Sequence, residues 1–322
     1  KVLSFLVVAA VLAPVVHADV KTTEKTQIKL EGMLGRIAGM AGGGAGKDGV
    51  TNTVAVKGNR MATFNDQSGQ IVDLSEQKVY VIDFKKKQYE VVTFAEMREQ
   101  MKKAQADAEK AMKDAKDVSP EDRAQMAEAT KNLDVTFDVK QTGEARAIAG
   151  HQAKQVIVTV TMKEKGKAIE ESGGMVITNE VWLGPRIAAL NEVGQFSARF
   201  FEAVYGESLA AMGQQFASLA AMYPGLQNAM KTMGEQMKKL DGTPLMTIQK
   251  TETVKSAAAM AQASAPPASG GGLSGALARR VMGNKKPEQR GLLYTSTSET
   301  LSIDTSATDA DVAIPAGFKE KK

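Results

Sequence analysis

Apolar and polar residues alternate in short runs along most of this chain. The clearest run is 69–94, GQIVDLSEQKVYVIDFKKKQYEVVTF. Tyr80, Ile82 and Phe84 fall on one face of a strand, and Val79 and Val81 on the other. Lys85-Lys86-Lys87-Gln88 makes an exposed turn, and Tyr89 to Val91 returns. The pattern predicts three strands joined by two tight polar turns. Thr93-Phe94-Ala95-Glu96 then reads as a capping box that opens a helix. Phe94, Met97, Met101 and Ala104 step by three and four on one face of that helix, which runs to about Val118. Ser119-Pro120 restarts a second helix that ends near Leu133. Residues 94–133 are therefore expected to form a helical hairpin inserted into sheet.

Alternation resumes with Val135, Phe137 and Val139, then with Val156, Val158, Val160 and Met162, then over Met175 to Leu183, which carries Glu180 and Trp182 on one face. Apolar residues with polar partners predict antiparallel strands, one face buried and one partly wet. Thr26 to Leu30 and Val50 to Phe64 read as earlier strands, and Thr243 to Val254 and Leu292 to Ile303 as later ones. Residues 192–240 form a second helical block. Leu209, Met212, Phe216, Leu219, Tyr223, Leu226, Met230, Met233, Met237 and Leu240 keep three-four stepping, with a break expected at Tyr223-Pro224. Residues 255–291 have the composition of a disordered linker. Val312 to Phe318 reads as a last edge strand, where proline is tolerated.

The ends and composition add compartment. Lys1 to Ala18 combines a positive residue, an apolar run and the small-residue pattern Val16-His17-Ala18. That describes a cleaved export signal leaving Asp19 first, and the run is short for a spanning helix. A periplasmic or secreted protein is expected. The 322 residues contain no Cys, so disulfides, thiol nucleophiles and a lipid-carrying cysteine are excluded. Net charge is +4 with mixed signs, unlike the concentrated basic face of a nucleic-acid binder.

Candidate chemistry is sparse. Ala41 to Lys47 has phosphate-loop spacing, but Asp48 stands where a magnesium-binding Ser or Thr belongs, and an alternating strand follows. A flexible hairpin loop is the better reading. His151 is the single histidine after the leader, so no metal site is expected. Glu180 beside Trp182 is either a buried acid or a half-exposed, paired one. No HExxH or Gly-x-Ser-x-Gly motif occurs. No cofactor and no enzymatic activity are expected. Arg279, Arg280, Lys285 and Lys286 form a basic tract that is either a solvated tether or a peripheral contact with anionic lipid.

One resemblance spans most of 26–318 in pieces: Lys57 to Met61, Gly69 to Leu74, Val81 to Tyr89, Thr93 to Met97, Thr142-Gly143-Glu144, Ile148 to His151, Glu180 to Leu183, and the ending Ile314-Pro315-Ala316-Gly317-Phe318. The chain resembles an exported bacterial family with a domain of unknown function, itself similar to the lipoprotein-carrier (LolA-like) half-barrel. That resemblance implies one α+β domain over 19–322. Its curved antiparallel sheet would be an incomplete barrel, with the helical insertions on the concave face or its rim. In the carriers that face binds acyl chains. Ala153 stands where relatives carry a cysteine.

Three function classes follow: a carrier of a hydrophobic (acyl or lipoprotein-like) ligand, an envelope scaffold acting through the charged helical hairpin, and a hydrolase. The carrier is favoured. Its expected ligand-binding residues are Trp182, Phe196, Phe200, Phe201, Met212, Phe216, Met230 and Met233, because flexible Met and Phe side chains repack around varied apolar guests. The same stripe also fits a core or a helix–helix seam.

Overall fold

In the computed structural model, the described residues are 19–32, 35, 49–114, 132–222, 231–236, 240–264 and 288–321. Side chains of 108, 109, 111–114, 207–222 and 263–264 fall outside that description. The strands are β1 Val20–Leu30, β2 Val50–Lys57, β3 Arg60–Phe64, β4 Ser68–Asp73, β5 Lys78–Asp83, β6 Gln88–Thr93, β7 Leu133–Ile148, β8 His151–Glu164, β9 Gly174–Gly184, β10 Thr243–Val254, β11 Arg290–Asp304 and β12 Lys319–Glu320. The helices are α1 Phe94–Asp114, α2 Ile169–Ser172, α3 Ala188–Met222 and α4 Ala257–Ser264, with a 3-10 turn over Asp309–Val312. Residues 231–236 are also helical.

All twelve strands join one curved, unclosed sheet in the order β12-β6-β5-β4-β3-β2-β1-β11-β10-β9-β8-β7. Every pairing is antiparallel except β12 with β6. The run from β2 to β6 is a meander whose turns are closed by short acceptors. Asn65 Oδ1 takes the Gln67 and Ser68 N–H groups, Asp73 Oδ1 those of Ser75 and Glu76, and Asp83 Oδ1 that of Lys86. A short side chain that bonds its own backbone two or three residues on mimics a turn and fixes hairpin register.

The predicted strands of 69–94 are β4, β5 and β6, and the capping box is formed: Thr93 N–H donates to Glu96 Oε2 at 2.7 Å, and Glu96 N–H donates to Thr93 Oγ1 at 3.1 Å. Elsewhere the elements depart from expectation. β1 begins at Val20 rather than Thr26: Val20 is fully buried in the cluster with β2 and the helices, and Thr22, paired with Val54 of β2, is fully buried as well. Val50 to Phe64 is a hairpin, not one strand, since Gly58 takes a left-handed φ of 58° that side-chain-bearing residues resist. The first residues of the expected linker are ordered. Ser256 Oγ accepts the Ala259 N–H at 3.1 Å and starts α4 in an alanine-rich run with high helix propensity. The expected strand over 312–318 is instead a turn. Phe318 N–H reaches the Pro315 carbonyl at 3.3 Å, and pairing begins only at Lys319. The second arm of the helical hairpin, the phosphate-like loop, the Tyr223-Pro224 break and the basic tract lie outside the described residues.

Two clusters bury the β1–β6 half of the sheet. Val20, Val56, Val72 and Val79 pack with Phe94 of α1 and with Ala189, Phe196 and Val204 of α3. Ala55, Ala62, Ile71, Tyr80 and Ile82 pack with Ala307 and Val312, beside Ile314 and Phe318 of the C-terminal segment. Val56 and Ala55, or Val72 and Ile71, are sequence neighbours on a strand, so these clusters occupy opposite faces. Helices cover one face and the chain's own C-terminal segment covers the other. That segment is tied down by Lys21 to Asp311 at 2.7 Å and by an edge-to-face contact between Phe84 and Phe318 at 5.5 Å.

Candidate functional site

The predicted site residues fall in three environments. Phe196 is fully buried in the core beneath α3, and Phe200 is half-buried beside it. Phe201 and Met233 are exposed, at 48% and 41%. The side chains of Met212 and Phe216, and the whole of Met230, lie outside the described residues. Trp182 is buried in a different cluster, with Ile148, Ala153 and Leu245. Ile187 and Ile303 touch both this cluster and that of Phe196. The structure therefore brings Phe196 and Phe200 together and sets Trp182 apart.

Register shows where Trp182 points. Met246, Trp182 and Gln155 face one another across β10, β9 and β8. Arg146 of β7 lies over the indole, its guanidinium carbon 4.0 Å from the ring centroid, a cation–π arrangement. Arg146 Nη2 also donates to Met246 Sδ. Arg146 Nε and Trp182 Nε1 are both buried and have no acceptor among the described residues. Gln155 is held by the Thr142 hydroxyl, which donates to its Oε1 at 2.8 Å.

The adjacent rows face the other way. Gln141, Val156 and Val181 are cross-strand partners, followed by Val139, Val158 and Asn179, then Phe137, Val160 and Ile177, then Val135, Met162 and Met175. These rungs form a ladder about 20 Å long, from the strand rise. Val156 is buried, and the other apolar residues of the ladder are half-buried. Following Val181 through Thr247 and Ser298 to Thr26 places the ladder on the face of β1 that carries Val20. The ladder thus shares a sheet face with the helix-covered core. On the opposite face of the same strands, between the buried Trp182 and Val176, the rows are mostly polar: Lys140, Ile157 and Glu180 form one and Asp138, Thr159 and Thr178 the next. Glu180 is paired there with Lys250 at 2.8 Å, the half-exposed and paired alternative of the two expected.

A half-open cavity of about 580 Å³ lies at one end of the ladder. Val156, Leu183, Pro185 and Leu240 supply apolar lining, and Gln141 and Lys154 supply polar groups. The volume lies in the range of ligand-binding clefts. A break in β7 register between Gln141 and Ala145 borders it, with Gly143 at a left-handed φ of 82° in its lining. Such a bulge bends the strand and opens space beside it. The alternation of β7 and β8 is legible in the sequence, but Lys154 and the bulge are not. Thr142-Gly143 is the one local signal for the bulge.

Electrostatic perturbation lies elsewhere. Burial pushes the Glu24 carboxyl up from its ordinary value; Glu24 sits in β1 opposite Asn52 and Thr300. Among the described residues no group of three or more His, Asp or Glu side chains is placed to hold a metal ion. No described helix is long and apolar enough to cross a membrane. No protein-family model and no curated protein matches this chain.

Proposed function

We propose that this protein is an exported, non-enzymatic binding or carrier protein for an apolar chain of the acyl type. The chain lies along the β7–β9 ladder with its polar end at the cavity beside Lys154. The observation that carries this reading is the continuity of the half-buried Val158, Val160 and Ile177 rungs with the cavity at Val156. Apolar surface left half-exposed on the same face as the main core is surface that a guest can cover with gain, about 25 cal/mol per Å². Lys154 supplies a cation for a carboxylate or phosphate end. The charge, apolar run and small-residue pattern of 1–18, read as an export signal, support passage out of the cytoplasm, and on that reading intact mass of the exported protein should begin at Asp19.

Titration with a fluorescent fatty-acid probe, with mass spectrometry of lipid extracted from fresh protein, tests it. Val158→Glu and Ile177→Glu should abolish binding, while Thr159→Glu on the polar face should not. Met212→Glu and Phe216→Glu ask whether the apolar stripe of 209–240 takes part. Circular dichroism checks the fold of each variant. No binding at about 100 μM probe, which corresponds to about 5 kcal/mol of affinity, together with no co-purified lipid, overturns the proposal.

A further inference from the structure

The two ends of the sheet are unlike. At one end β12 is two residues long and is followed by Lys321, which pairs with Glu90. A short strand flanked by lysines is a guarded edge. At the other end β7 is sixteen residues long and pairs with β8 alone among the described strands. Before its bulge, the outer edge of Leu133 to Gln141 meets no other strand among the described residues, so its backbone donors and acceptors have no ladder partner there. A long, regular edge of this kind is a template for another strand.

We propose that this edge pairs two copies of the chain, β7 against β7, antiparallel about a two-fold axis through Phe137. The sequence of the edge, LDVTFDVKQ, is complementary to itself in that register. Asp134 faces the partner's Lys140, and Lys140 faces the partner's Asp134. Val135 meets the partner's Val139 on the ladder face, and Phe137 meets its own copy on the axis. Thr136 faces the partner's Asp138 and can donate its hydroxyl. Same-face partners require the axis to pass through a residue. The neighbouring registers, centred on Thr136 or Asp138, set Asp134 against Asp138 or Asp138 against itself, and like charges directly opposite are destabilising. Charge therefore disfavours both neighbouring registers, and the Phe137-centred one keeps all nine residues of the edge, Leu133 to Gln141, in register. A two-fold interface requires this self-complementarity.

Among the described residues Asp134, Asp138 and Lys140 make no ion pair. Lys163, directly across β8 from Asp134, donates to the Lys167 carbonyl at 2.7 Å instead. Leu133, at the outer end of the edge, is 42% exposed. Pairing also extends the apolar ladder from one protomer into the next through Val135, Phe137 and Val139. The dimer does not rest on ligand binding, and each can fail without the other.

The experiment is sedimentation equilibrium of the full chain, with charge variants and engineered cysteines. Wild-type protein should be dimeric at about 100 μM, where an interaction of about 5 kcal/mol is half-saturated. Asp134→Lys and Lys140→Asp should each be monomeric, and their equimolar mixture should form heterodimers, since both facing pairs are then opposite in charge. The chain has no native Cys, so Phe137→Cys gives a clean crosslink. Facing residues of antiparallel strands lie about 4.5–5.5 Å apart at Cβ, close enough for a disulfide after a small shift. Phe137→Cys should oxidise to a dimer. Val135→Cys should crosslink with Val139→Cys but not with itself. Monomeric wild type at that concentration, or charge variants as dimeric as wild type, overturns the pairing. Should a charge variant fail to fold, the Phe137→Cys crosslink decides, and its absence overturns the pairing.

Discussion

Phe94 and Phe200 meet edge to face, with ring centroids 5.3 Å apart and planes at 62°. The contact joins the first residue of α1 to the middle of α3, far away in sequence. Phe94 is 1% exposed and belongs to the cluster on which both helices sit. Its position is set by the capping box one residue earlier, so a local hydrogen-bond motif aims the side chain that docks two helices.

Phe94→Ala is expected to cost about 3–5 kcal/mol, the range for removing a buried aromatic. Phe200→Ala should cost less, since Phe200 is only half-buried. A double-mutant cycle by urea denaturation should give a coupling of about 0.5–1.5 kcal/mol for the ring pair. Additive losses would show that the rings pack independently.

Gly174 has a φ of 153°, and a Cβ there would run into the Met162 carbonyl oxygen. That oxygen is backbone and cannot swing away. Gly174→Ala should therefore separate the ends of β8 and β9 and lower stability by several kcal/mol, above the usual 0.5–3 kcal/mol of a point mutation. Gly143→Ala meets no neighbouring atom and should be milder, carrying only the strain of its left-handed φ. Thermal melts of the two variants make the comparison.

Asp311 is held down to about 2, first by the hydrogen bond from Lys21 and then by the Thr308 backbone and hydroxyl. A lowered folded-state value stabilises the fold above the ordinary carboxylate range and is lost as pH falls toward 2. Asp311→Asn should thus destabilise at pH 7 and match wild type near pH 2. Lys21 and Asp311 are 40% and 21% exposed, so screening keeps the effect to about 1 kcal/mol or less. Denaturation midpoints across that pH range give the test. A gap that persists at low pH would mean Asp311 acts by packing.

Glu24 carries the opposite sign. Burial raises its value, so the protonated carboxyl suits the folded state. Its contribution is complete below the ordinary glutamate range and is lost as pH rises through the raised value. Glu24→Gln should stabilise at neutral pH and bring no gain in acid. A variant less stable than wild type at pH 7 would show that the ionised carboxylate is satisfied.

Local physics was legible in this sequence. Alternation set the strands of 69–94, 135–139 and 156–162, because a strand that buries one face must repeat every two residues. Thr93 and Glu96 marked the start of α1, because both partners of a capping box lie within one turn. Asp73 and Asp83 close, within three residues, the two tight turns that the alternation of 69–94 implied. What failed locally failed for a stated cause: Gly58 turned one expected strand into two, and Ser256 with its alanines gave α4 where a linker was expected.

Tertiary structure decided the rest. β1 pairs with β11 from the other end of the chain, and β12 returns to β6 in parallel. No periodicity announces either pairing, since a strand's outer hydrogen bonds are the same for any partner. Alternation gives two faces but not which neighbour covers them. So Phe196 became core, Phe201 stayed outside, and Trp182 turned away from the ladder to lie under Arg146. The β7 bulge that borders the cavity rests on register with β8 and exists only once both strands are in place. Apolar burial is non-directional: composition specifies that these side chains leave water, and only long-range pairing specifies where they go.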